Sequence, residues 1–232
     1  MKYIPLFIGI VFLTSCSTMP VISAKMLQTN QNNLTCPSPF LKGKHQLIHA
    51  IEINAAGIVQ GGIIGVTVID PSKRFVSCAI ITAEGMVLLE VQSAGEKLII
   101  YRALPPFDSG DFAKNLIDDI RLIYFNPQGL LQKKGNLPNG STICRWQEEN
   151  GNSIDVIAGK PEITEIKKYS ACGSMKRHIK LTQKAGNPYA IIELQGSEMV
   201  DYALLMTLLE TQPVDGKLQG KKLKGKNNAH YH

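Results

Sequence analysis

Aromatic side chains are scarce in this chain, 6% of residues with a single tryptophan, and charged residues reach only 19%. So little charge beside 44% apolar residues excludes a solvated, unfolded polymer and leaves enough material for one β-type core. No apolar run attains the roughly 20 residues that a bilayer-spanning helix needs. A Cys-x-x-Cys pair, a phosphate-binding loop and a dinucleotide fingerprint are also missing. Neither a metal nor a cofactor is therefore expected, and an enzyme is the disfavoured reading. Ser170-Ala171-Cys172-Gly173-Ser174 departs from the Gly-x-Ser-x-Gly nucleophile turn, and no histidine backed by an acid is placed to serve it. His45 and His49 would converge on a metal in a helix, but on a strand they stand about 13 Å apart. The acid pairs Asp118-Asp119, Glu148-Glu149 and Asp108 with Asp111 are expected to point apart into water.

What is present begins with Met1, Lys2 and Tyr3 ahead of an apolar stretch over residues 4–13, the charged start and apolar middle of a secretory signal. Leu13-Thr14-Ser15-Cys16 follows and resembles the lipobox of bacterial lipoproteins. That resemblance implies cleavage after residue 15, diacylglycerol on the Cys16 thiol and acylation of the new amine. Stable anchoring takes about two acyl chains, which Cys16 would carry. Ser17, in place of a retaining aspartate, implies an outer-membrane lipoprotein facing the periplasm.

The formal charge of +6 is concentrated near residues 217–226, where Lys217, Lys221, Lys222, Lys224 and Lys226 fall among glycines and glutamine. Residues 212–232 read as a basic disordered tail, able to meet anionic lipid headgroups at about 1 kcal/mol per lysine. Nucleic acid is not an expected partner of an exported chain.

Beyond the anchor, Cys36, Cys78, Cys144 and Cys172 make an even set for an oxidising compartment. Four cysteines allow three pairings. Chain order favours Cys36 with Cys78 and Cys144 with Cys172, without fixing either.

Residues 16–43 are rich in Ser, Thr, Asn, Gln and Pro, the composition of a flexible tether, and the body is expected over 44–211. There, apolar stretches separated by turn residues predict strands over 45–54, 58–69, 74–82, 86–92 and 97–102, and again over 142–149, 153–158, 163–169, 175–182, 189–195 and 202–209. Phe112, Leu116 and Ile120 recur at helical spacing, which predicts one helix from Asp111, capped by Asp108 or Ser109. In 175–181, Met175, Ile179 and Leu181 share one face, interrupted by Arg177, while Lys176, His178 and Lys180 face the other way. Residues 58–68 are apolar on both faces, as if covered on both sides. The fold class is mainly β (α+β): a curved antiparallel sheet of about eleven strands, open as a half-barrel, with a helical lid.

In this order of lipobox, meander, helix and meander the chain resembles the LolA/LolB-like lipoprotein-localisation family. Residues 74–100 resemble its strand, protruding turn and strand, 111–124 its helix, and 188–209 its closing strands. The resemblance implies a half-barrel that holds acyl chains under a helical lid. At the tip of the protruding turn, where the family's outer-membrane receptor is apolar, this chain has Glu84, followed by Met86. A carboxylate costs free energy to bury, so binding without insertion of that turn is expected.

By alternation, the residues expected to line such an interior are Ile64, Val66, Ile80, Leu88, Ile100, Leu116, Trp146, Ile179 and Leu194. The function expected is binding of acyl chains or lipidated proteins for transport to the outer membrane. The alternative is a structural or interaction lipoprotein of the envelope, an enzyme accessory or inhibitor, with a packed core and no ligand.

Overall fold

The computed structural model describes residues 19–22, 35–55, 58–197 and 201–214; the signal segment, Cys16 and the lysine-rich tail lie outside them. Strands β1 (His45–Ala55), β2 (Ile58–Asp70), β3 (Phe75–Ile81), β4 (Val87–Ala94) and β5 (Lys97–Ala103) precede helix α1 (Gly110–Tyr124). Then come β6 (Leu130–Asn136), β7 (Thr142–Gln147), β8 (Ser153–Lys160), β9 (Ile163–Tyr169), β10 (Met175–Lys184), β11 (Asn187–Ser197) and β12 (Asp201–Pro213). All twelve join one antiparallel sheet in the order β5-β4-β3-β2-β1-β12-β11-β10-β9-β8-β7-β6. Among the described residues the sheet does not close, so β5 and β6 are its edges, and β1 with β12 forms the central seam. One wall of this sheet packs against α1, the arrangement of an open half-barrel under a helical lid.

Local chemistry explains the elements. Between β2 and β3, the Asp70 carboxylate accepts from the Ser72 amide and hydroxyl, and Arg74 takes a left-handed φ of 48°, which turns the chain tightly. Apolar residues of α1 lie on the stripe that Phe112, Leu116 and Ile120 announced; Ala113, Ile117, Ile123 and Tyr124 complete it. Gly129 has φ +108°, and a Cβ there would run into the backbone of Gln147 and Glu148, so only glycine lets the chain return from the lid to β6.

Several expectations are corrected. The twelfth strand is β6, whose Leu130, Leu131, Gln132 and Lys133 are all exposed; an edge strand without a buried face has no alternation to read. The folded body begins before Lys44, because Cys36 is bonded to Cys144, Phe40 is buried in the core and the Leu41 amide donates to the Tyr124 carbonyl. The disulfide expectation fails with it. Cys36 pairs across 108 residues with Cys144, while Cys78 is a buried thiol and Cys172 an exposed one. The sheet brings β7 to the entering chain, which chain order could not reveal.

Residues of β2 are not covered on both sides. Thr67 and Ile69 are buried on the helix side, paired with Cys78 and Val76 of β3, whereas Ile64, Val66 and Val68 alternate to the outer face and remain half-buried.

Candidate functional site

The concave wall is a continuous apolar surface contributed by alternate residues of nearly every strand. Leu47, Ile69, Val76, Ile80, Leu89 and Val91 form it on one side of the seam, and Val156, Ile166, Ile179, Leu181, Ile192 and Leu194 on the other. The apolar stripe of α1 seals this wall. At about 25 cal/mol per Å² of apolar surface removed from water, such a contact is the main force holding lid to sheet.

Two polar clasps fix the lid's position. In the first, Arg177 of β10 donates through Nε to Asp119 Oδ1 at 2.7 Å, and the Tyr202 hydroxyl of β12 donates to Asp119 Oδ2 at 2.6 Å. The guanidinium also lies over the Tyr202 ring, 5.5 Å from its centroid. Burial raises the Asp119 pKa, and the nearby Arg177 charge and Tyr202 hydrogen bond oppose that rise. In the second clasp, Arg121 Nη2 donates to Ser93 Oγ at 2.8 Å and to the Gly95 carbonyl of the β4–β5 turn. Arg121 Nε is buried with no partner among the described residues, so this clasp is less fully satisfied.

The expectation that Asp119 points into water is thus corrected. Its signal was present: Arg177 interrupts the apolar face of β10, and Asp119 interrupts the apolar stripe of the helix. Two opposite charges, each misplaced on a surface that must face the other, identify the clasp.

Beneath the C-terminal end of α1 lies a polar cluster. The Tyr124 hydroxyl is 3.4 Å from His49 Nε2, the Tyr124 and Tyr189 rings stack tilted at 4.9 Å, and the Tyr189 hydroxyl donates to the Pro39 carbonyl. Burial lowers the His49 pKa to about 4, so the ring is neutral at pH 7. Residues 36–41 therefore close one end of the half-barrel as a strap, fixed by the Cys36–Cys144 bond and by backbone and tyrosine contacts.

Of the residues expected to line the interior, Ile80, Ile179 and Leu194 lie in the buried wall, and Leu88, Leu116 and Trp146 pack against it half-buried. Ile100 is 43% exposed on the edge strand β5. Ile64 and Val66 are on the outer face: β2 is apolar at both parities, and pairing with β1 and β3 turns Gly65 and Thr67 inward instead. Cys16 lies outside the described residues.

Three clefts open at the surface. One of about 550 Å³ sits at the C-terminal end of the lid, between Arg74, Arg121, Glu148 and Lys168. Another, about 490 Å³, adjoins the first clasp at Arg177 and Tyr202, and a third, about 470 Å³, lies between Phe40, Lys42, His45 and Asn187. None of these three is lined by the nine expected residues, whose inward members are packed against the lid.

No protein-family model matches the chain, and no curated protein matches it. Among solved structures, it is similar to a LolA superfamily protein from Nitrosomonas europaea, with 10% identity, a TM-score of 0.47, and coverage of 76% of this chain and 88% of that one. Identity that low assigns no residue a role.

Proposed function

We propose that this chain is a lipoprotein carrier that shelters acyl chains, free or attached to proteins, between the concave wall and α1, and that it works from a lipid anchor on Cys16 at the outer membrane. The carrying observation is the clasped lid: one helix covers an apolar wall of an unclosed sheet and is positioned by the Asp119 group and by Arg121. Buried ion pairs add little net stability compared with apolar packing. A clasp of this kind suits a cover that lifts and returns to one position. With the lid seated, its own side chains occupy the place an acyl chain would take, so loading requires the helix to move. The chemistry is desolvation, not covalent catalysis.

A second reading, an interaction lipoprotein of the envelope without a ligand, draws support from the packing of Ile80, Ile179 and Leu194, each at most 3% exposed. Native mass spectrometry separates the two. A carrier should retain added palmitate, and the Arg177→Met/Asp119→Leu double variant, with its clasp gone, should bind palmitate with at least about threefold changed affinity. No bound acyl chain in either protein would leave the second reading.

A further inference from the structure

On the strands beyond the seam, three neighbouring segments bring lysines to one rim. Lys42 and Lys44 precede β1, Lys184 ends β10 and Lys160 ends β8; all four are exposed and none is ion-paired among the described residues. The segments are mutually tied: the Gln183 amide donates to the Glu162 carbonyl at 2.7 Å, and the Val214 amide to the Lys44 carbonyl at 2.8 Å. Glu162 is the acid of this rim's β8–β9 turn. The cleft of about 470 Å³ opens here between Lys42, His45 and the β10–β11 turn, room for a headgroup beside the ammonium groups. Val214, the last described residue, lies at this same rim.

The opposite ends of these strands are mixed: Glu148, Glu149 and Asp201 stand there with Lys176 and with Lys168, which is paired to Glu148. The anchor is compatible with the basic end facing a membrane. Arg145 Nη2 donates to the Pro20 carbonyl at 3.1 Å, and Cys16 is four residues before Pro20, a reach of at most about 14 Å. Arg145 stands in the middle of β7, three residues from its end on the lysine side and two from the other, so the path of the tether allows either rim to face the bilayer.

We propose that this rim, Lys42, Lys44, Lys160 and Lys184, rests on anionic lipid headgroups and sets the body's orientation on the bilayer. The orientation rests on the lipid-anchor reading; the charge distribution does not. Each lysine held within a Debye length of an anionic surface is worth about fivefold in affinity, so the folded rim adds a preference of its own to that of the tail.

The test uses the full chain and phosphatidylcholine vesicles with or without phosphatidylglycerol. The preference for anionic vesicles should fall at least about tenfold in the Lys42→Glu/Lys44→Glu/Lys160→Glu/Lys184→Glu variant, with the tail intact. The same comparison in the Cys16→Ala background should show the same fall, and acyl labelling of the two backgrounds tests the anchor separately. A dye on exposed Cys172, at the far end of the 10-residue β10, reads orientation by energy transfer to labelled lipid. It should stand about 30 Å from the bilayer and approach it in the lysine variant. Unchanged vesicle preference in the variant, or none in the wild type, overturns the proposal; so does a dye that lies against anionic bilayers.

Discussion

His49 illustrates how a single buried ring couples this fold to pH. Its folded pKa is about 4 against an ordinary 6.5, because burial disfavours the charged ring. The unfolded chain therefore takes up the proton first, and stability is full above pH 6.5 and declines as pH falls toward 4, by at most about 3 kcal/mol. Asp119, with a raised pKa, acts in the opposite sense at the acidic end. Urea unfolding of wild type and His49→Leu at pH 7 and pH 4 should show a smaller loss on acidification in the variant. Arg177→Ala strands a buried carboxylate and should cost about 3–5 kcal/mol, with the Asp119→Ala/Arg177→Ala pair costing less than the sum of the two singles. The thiols divide as sharply. Hydroxyls of Ser170 and Ser174 lower the exposed Cys172 to about 7, while burial pushes Cys78 up to about 11. Brief alkylation at pH 7 should modify Cys172 and spare Cys78, as peptide mapping would report.

At the scale of elements, the strap closes one end of the concave face and is held by a single covalent bond. Replacing Cys36 and Cys144 by serine releases a loop of 108 residues and should cost about 4 kcal/mol in chemical denaturation. The helix and eleven of the strands were legible because each buries one face, which imprints a period of 3.6 or 2 on the sequence. Edge strand β6 buries too little to leave that imprint. Inward and outward sides of β2 were not legible either, since Ile63, Ile64, Val66, Val68 and Ile69 supply apolar groups at both parities and only the neighbouring strands choose between them. The clasp was half-visible, as a misplaced arginine; its acid was hidden beside the exposed Asp118. The strap was illegible because polar composition conceals one phenylalanine and one cysteine that do the docking.

For the whole molecule, the sheet order has a kinetic meaning. β1 and β12 are neighbours from His45 opposite Pro213 to Ala55 opposite Tyr202, with one bulge between Ile48 and His49. Each half of the sheet can assemble as a local meander, but the wall is continuous only after the chain's earliest strand meets its latest. Pairings that distant close slowly, in milliseconds to seconds rather than microseconds. A polypeptide is synthesised from its beginning to its end. Until β12 arrives, β1 is paired with β2 alone and its other edge has no partner, so the two halves of the wall stay separate through most of the chain's emergence.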